Sequence, residues 1–375
     1  MFLTILIAFI SLIGLITLHE FGHFVLAKKF GIKVEEFGIG YPPRLFGKKI
    51  GETIYSINLL PFGAFVRFPG EIGKREDKQS FSAQPVSKRA LVAFGGVLSF
   101  WIISAILFSI VMGIGAPTAI SDEENHNLIE PKVQIAVVAF NSPAQVAGIK
   151  PGDTIKQFSI FNYPSKARVG DEGEAFSDLQ FSINKVKEVQ ELTEKYKGEE
   201  IILTIERGKE VFDVKLVPRV LPPVGEGAMG VALVRTAIKS YPWWISPWQG
   251  ILRTFNLTGA IIQGYGQAIK NVISGKPSGV ELVGPVGVIH LFTQVSQLGV
   301  NYFLQFIGMI AIYIALFNIL PIPAVDGGKL LFLGIEFARK KPVSEKIEQN
   351  VTALCFSLLI ILMIFITIKD IAKLF

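Results

Sequence analysis

The chain has 375 residues, of which 50% are hydrophobic and 18% charged, and its mean hydropathy is +0.47. Globular chains carry about 25% charged residues, so this balance excludes disordered, collagen-like and disulfide-scaffold classes and points to a membrane protein with a water-facing part. The single cysteine, Cys355, excludes an internal disulfide, and the net charge of +6 reads as loop charge that sets membrane topology, not as a nucleic-acid surface.

Four stretches are apolar for long enough to cross a bilayer, which takes about 20 residues. The first runs from Met1 to Ala27 and the second from Ala90 to about Pro117. The charge-free run from Leu282 to Val325 is too long for one helix. Gly284-Pro285 and Gly299 break it, which places the third span at about Tyr302 to Leu320. The fourth is Val351 to Ile368. The first stretch is not a signal peptide, because no basic segment precedes it and charged residues lie inside it. The loop from 28 to 89 holds twelve Lys and Arg residues, and the loop before the fourth span holds Arg339, Lys340, Lys341 and Lys346. Both loops are therefore expected in the cytoplasm, with both termini and the long central region outside.

Ionisable groups at membrane depth are costly and functional by default. The first span contains His19-Glu20-Phe21-Gly22-His23. On a helix, positions i and i+4 share a face, so both imidazoles can reach one ion. Zinc takes three protein ligands in catalytic sites and leaves one position to water. Glu20 stands beside that position as a base. A third ligand is expected from Asp326, the other carboxylate deep in apolar sequence. Loop charge puts it at the inner end of the third span, at the depth of the histidines. His290, at the outer end of its stretch, is the remaining candidate.

These residues resemble the site-2 protease family of intramembrane zinc metalloproteases, and most closely its bacterial regulator-of-sigma members. The likeness is carried by His19-Glu20-Phe21-Gly22-His23 and by Asn318, Pro321, Pro323 and Asp326-Gly327-Gly328. Tyr55 through Gly63 and Gly284-Pro285-Val286-Gly287 add to it. It implies zinc bound by His19, His23 and Asp326, Glu20 as the catalytic base, and Asn318 on the substrate backbone. Ser99, Pro323 and Gly63 are further substrate-binding candidates. The family usually has Gly-Pro-x-x-Asn where this chain has Gly95-Gly96-Val97-Leu98-Ser99, so the substrate contact that the resemblance implies for the asparagine is either weakened or carried by the Ser99 hydroxyl. The implied substrates are single-span membrane proteins already trimmed by another protease, such as anti-sigma factors or signal-peptide remnants.

Residues 50 to 69 alternate β-branched and aromatic side chains around Pro61-Phe62-Gly63. They read as a β-hairpin turning there. The pattern fits equally an ordinary surface hairpin and one that dips into the cytoplasmic face of the membrane; the family resemblance implies the second, whose edge can capture an unwound substrate. Residues 128 to 219 turn more polar. Asn141 through Ile155 resembles the core motif of a PDZ domain, a helix is expected over 185–197, and strands over 200–206 and 211–217. Residues 159–178 read as a loop insertion. The segment 220–281, with Trp243, Trp244 and Trp248, reads as interfacial amphipathic helices. The expected architecture is thus an α-helical multi-pass protein of the cytoplasmic membrane. It has a first membrane part (1–117), an extracytoplasmic α+β PDZ domain, the linker, and a second membrane part (282–375). Two rival functions remain: a PDZ-bearing membrane scaffold without catalysis, and a zinc transporter. The intact His19, Glu20, His23 and Asp326 argue against the scaffold, and the PDZ domain and strand-like loop argue against the transporter.

Overall fold

The computed structural model describes residues 2–71, 77–125, 128–139, 141–164, 176–208, 210–223, 225–276, 278 and 283–374. The chain divides into two units, 1–113 with 242–375, and 114–241.

The first unit opens with helix α1 (Phe2–Lys29). Lipid offers no hydrogen bonds, so a spanning segment must satisfy its backbone internally. The hydroxyls of Ser11 and Thr17 follow the same logic by donating to the carbonyls of Ile7 and Ile13, four residues back. Strands β1 (Glu36–Ile50) and β2 (Thr53–Arg67) come next. They reverse at Gly51, whose φ of +62° suits glycine. The expected turn at Pro61-Phe62-Gly63 is therefore not the hairpin turn. Residues 44–50 pair with 53–58 as the hairpin proper. Residues 36–39 pair with 54–57 on one side and with 64–67 on the other. Pro61 to Gly63 thus lies in the stretch that carries β2 across to the far side of 36–39. A proline there interrupts no hairpin ladder. Helix α2 (Val86–Ile114) completes this part.

The second unit holds β3 (Ala116–Ala119), β4 (Ile129–Val138), helix α3 (Pro143–Val146), β5 (Thr154–Pro164), β6 (Phe176–Ser182), α4 (Val186–Lys195), β7 (Ile201–Arg207), β8 (Glu210–Leu216) and β9 (Val231–Lys239). The sheet order is β3-β9-β4-β5-β7-β8, with β6 also paired to β5. Ile135, Ile155, Phe158, Val189, Leu203 and Ile205 form the centre of its core. Ser142 caps α3 by accepting from the Gln145 amide. Asp153 receives a two-pronged contact from Arg207, 2.7 Å on each side, and this bond raises the Arg207 pKa. Two expectations change here. Residues 159–164 and 176–178 are strand, not loop, and 165–175 lie outside the described residues. Strand β9 falls in the segment expected to be linker. Its Arg235 is buried and donates to the carbonyls of Asn184, Ser121 and Glu124, which ties the strand into this sheet.

Back in the first unit come α5 (Ser246–Ile273), α6 (Pro285–Leu298), α7 (Val300–Asn318), α8 (Asp326–Arg339) and α9 (Glu345–Leu374). Helix α5 packs on the spans: Gly250 meets the Ser109 backbone of α2, and Ile261 clusters with Phe108, Ile312 and Leu316. Among the described residues, four helices are long and apolar enough to cross a membrane, within α1, α2, α7 and α9. The two expected breaks occur where α6 begins after Gly284 and ends at Gly299, with φ of +119°. The fourth span is tied at one end by Asp370, which accepts from the amides of Gly284 (2.9 Å) and Gly287 (2.8 Å) at the start of α6.

Candidate metal centre

Helices α1 and α2 touch through glycines. A side chain on Gly22 would run into the Gly95 carbonyl, and one on Gly95 into Leu26. This close approach presses the histidine face of α1 onto α2. Gly96 sits directly under the imidazoles, where any β-carbon would overlap His23 Nε2 and His19 Cε1. The His19 ring stacks on Phe100 with centroids 4.7 Å apart. His23 Nδ1 lies 2.8 Å from the Val92 carbonyl. A carbonyl only accepts, so Nδ1 carries the proton and Nε2 keeps its lone pair for a ligand.

Asp326 was expected at the inner end of the third span. It lies just past the end of that span and is carried by a separate helix. Span α7 ends at Asn318, a loop with Pro321 and Pro323 turns the chain, and Asp326 is the first residue of α8. Gly327 and Gly328 make this possible: side chains there would overlap the carbonyls of Leu320 and Ile322. The loop backbone packs against the first turn of α8 and aims Asp326 at α1. Its Oδ2 stands 3.1 Å from His19 Nε2 and 3.4 Å from His23 Nε2, and the two Nε2 atoms are 3.3 Å apart. The candidate ligand atoms all fall within 4.8 Å of one another. Asp326 Oδ2 is buried yet in no hydrogen-bonding geometry. Two imidazole nitrogens and one carboxylate oxygen converging in this way fit a divalent ion of zinc's chemistry. The side chain of His290 is outside what is described.

Beside these atoms lies a cavity of about 190 Å³ lined by Glu20, His23, Tyr41, Ala64, Phe65, Val66, Glu71, Phe81, Asp326 and Lys329, among others. Glu20 has no hydrogen bond or ion pair among the described residues, so its carboxylate is free to act in that space. Burial first, then the Glu20 charge, raises the Tyr41 phenol above its usual pKa. Residues 64–67 have a strand neighbour on one side, and 64–66 line the cavity. None of the four substrate-binding candidates is among the residues that line this cavity. The Ser99 hydroxyl donates to Gly96 O at 2.6 Å, and the Asn318 amide donates to Ile314 O at 3.0 Å. Pro323 packs on Gly328, and Gly63 makes room for the Tyr41 ring. The cavity's own Tyr41, Glu71 and Lys329 escaped sequence reasoning. Only Lys329 left a signal, as a charge one helical turn after Asp326.

The sequence model of the family described as Peptidase family M50 matches residues 7–362. A Clostridium perfringens protein whose name assigns it as a zinc metalloprotease is 32% identical over 368 residues, covering 98% of each chain. One from Clostridium acetobutylicum, with the same kind of name, is 30% identical over 99% of this chain and 98% of its own. The zinc metalloprotease RasP of Oceanobacillus iheyensis is 26% identical over the full length of both.

Proposed function

This chain belongs to peptidase family M50, and from that premise we propose that it is a zinc endopeptidase that cuts membrane-spanning segments of other proteins. The observation that carries the reading is the convergence of His19 Nε2, His23 Nε2 and Asp326 Oδ2 beside the free carboxylate of Glu20.

Zinc, when bound, supplies Lewis acidity toward the scissile carbonyl and acidifies a water. The other steps belong to the chain. Glu20 takes the proton of the attacking water and passes it to the amide nitrogen as the C–N bond breaks. The Val92 carbonyl holds the His23 ring in its ligand tautomer. The edge at 64–66 pairs with an extended substrate. A transmembrane helix hides its peptide bonds, and strand addition offers the unwound backbone new partners.

The substrates of this reading are single-span membrane proteins, trimmed beforehand by another protease, of the anti-sigma-factor or signal-peptide-remnant kind. The loop charges support a cytoplasmic membrane location with both termini outside. The second unit is read as a PDZ domain on the same outer side, supported by the Ser142-capped helix and the Gly152-Asp153 turn into β5. An inactive scaffold would have no need of the assembled His19, Glu20, His23 and Asp326.

The test is zinc quantification on the purified full-length protein together with cleavage of a model transmembrane substrate. Glu20→Gln keeps zinc and loses about 10²–10⁴-fold in turnover. Asp326→Ala loses both zinc and activity. Turnover near the wild-type level in Glu20→Gln would remove Glu20 from the reaction, and full zinc in Asp326→Ala would assign the third ligand elsewhere.

A further inference from the structure

The walls of the catalytic cavity are fixed in two separate frames. The metal-ligand frame is α1 on α2 through Gly22 and Gly95, with α8 seated on the 319–323 loop through Gly327 and Gly328 and joined to α2 by the Arg89–Glu336 ion pair. The substrate frame is the 64–67 edge of β2. Val66 and Phe68 pack with Ala27, Val92 and Phe81, which holds that strand against α1 and α2 but leaves its distance from α8 open. Where a captured peptide's scissile bond falls depends on the register between the two frames. Hydrolysis tolerates little error there, since a misplacement of about 1 Å can cost 10²-fold.

Among the described residues, one ion pair joins the frames on the α8 side. Lys329 lies one turn after Asp326, on the same face of α8. It is bonded to Glu71, four residues beyond the end of β2. Both side chains line the catalytic cavity, and both also line a neighbouring cavity of about 340 Å³, with Phe81 shared. The pair therefore stands in the partition between the two spaces. Neither residue is among the converging ligand atoms.

We propose that Lys329 and Glu71 are positioning residues, whose ion pair sets the register of the substrate-pairing edge against Asp326 and so selects the peptide bond presented to Glu20. The proposal rests on the peptidase reading above. Lys329 acts through the strand and not on the metal, so its loss shifts where the substrate is cut while leaving zinc in place. A strand repeats its facing every two residues, so a slip that keeps the same side chains toward the cavity moves the cut by two residues.

The experiment uses the full-length protein in lipid vesicles with a model transmembrane substrate. Zinc content, kcat, KM and the cleavage position by mass spectrometry are measured for Lys329→Met, Glu71→Gln, Lys329→Arg and the exchanged pair Glu71→Lys with Lys329→Glu. Lys329→Met and Glu71→Gln are expected to keep zinc, to lower kcat about 10- to 100-fold, and to spread the cut over bonds two residues apart. Lys329→Arg and the exchanged pair are expected to restore a single cut. A single wild-type cut at wild-type kcat in Lys329→Met overturns the proposal. Loss of zinc in Lys329→Met also overturns it, because the pair would then support the metal site itself. If Lys329→Met does not insert, Glu71→Gln alone decides between these outcomes from the other wall. Failure of the peptidase reading looks different: the zinc-loaded wild type would cut no transmembrane substrate at all.

Discussion

Gly96 is the residue that most directly protects the metal centre, although it binds nothing. The space above it is filled by the His19 and His23 rings. A side chain there must displace at least one imidazole. Gly96→Val is therefore expected to weaken zinc affinity at least tenfold, the scale at which residues around metal ligands act. Competition against a graded chelator series measures this, and Gly96→Ala should fall between the variant and the wild type. Wild-type affinity in Gly96→Val would mean that the rings have room to retreat. Nothing in the linear pattern marks this role, because a glycine in an apolar helix carries no sign of what crosses above it. The histidines, by contrast, announce themselves through their i, i+4 spacing inside a span.

At the level of elements, α8 shows how local chemistry aims a distant ligand. Its first turn packs on the loop from Ile319 to Pro323, and Gly327 has the Leu320 and Ile319 carbonyls where a side chain would be. Gly334, further along the same helix, has nothing within 4 Å. The pair makes a controlled comparison. Gly327→Ala is expected to push Asp326 off the histidines and reduce zinc occupancy and activity together. Gly334→Ala is expected to leave zinc unchanged and to stabilise the helix by about 0.5–1 kcal/mol. Zinc content and thermal unfolding of the two variants check this. Equal zinc in both would show that the loop yields. The β1–β2 element teaches the reverse lesson. Pro61-Phe62-Gly63 has the composition of a turn, yet the hairpin reverses at Gly51, because the chain needs a crossover at 61–63 to reach the second side of 36–39. Pairing partners far along the chain decided which of two turn-like segments became the turn.

At the scale of the whole molecule, the metal centre is built from one of the two units. His19, His23 and Asp326 all belong to 1–113 and 242–375. The other unit runs from 114 to 241, so an excision at 128–219 would leave the β3–β9 pair behind and strip β9 of its other neighbour, β4. Replacing 114–241 by a flexible linker removes the unit cleanly. The expected outcome is a protein with wild-type zinc content. Zinc loss from a product that still inserts would place the second unit within the metal site's support. Cleavage of substrates that keep a bulky outer domain would identify the unit as a size filter, and a raised KM for trimmed substrates would identify it as a recruiter. Orientation is checked separately. On a Cys355→Ser background, a membrane-impermeant thiol reagent is expected to label a cysteine at Lys187 but not one at Lys78. Labelling at Lys78 alone would invert the topology.

Amino-acid order by itself determined the four spans, the breaks at Gly284 and Gly299, the His19-Glu20-His23 face, and the strands and helix between 185 and 217. Each of these rests on apolar length, i, i+4 spacing or period-two alternation, which are properties of neighbouring residues. Asp326 was legible as a candidate through loop charge, but its helix was not, since the α7–α8 turn depends on a loop packing against two glycines. Tertiary structure alone decided the 3.1 Å approach of Asp326 to His19, the crossing of β2 over 36–39, the return of β9 to the second unit's sheet, and the cavity walls at Tyr41, Glu71 and Lys329. These are meetings of segments tens to hundreds of residues apart. At the metal centre, what permits them is missing side-chain volume at Gly22, Gly95, Gly96, Gly327 and Gly328, and an absence of atoms gains meaning only when the second surface is present.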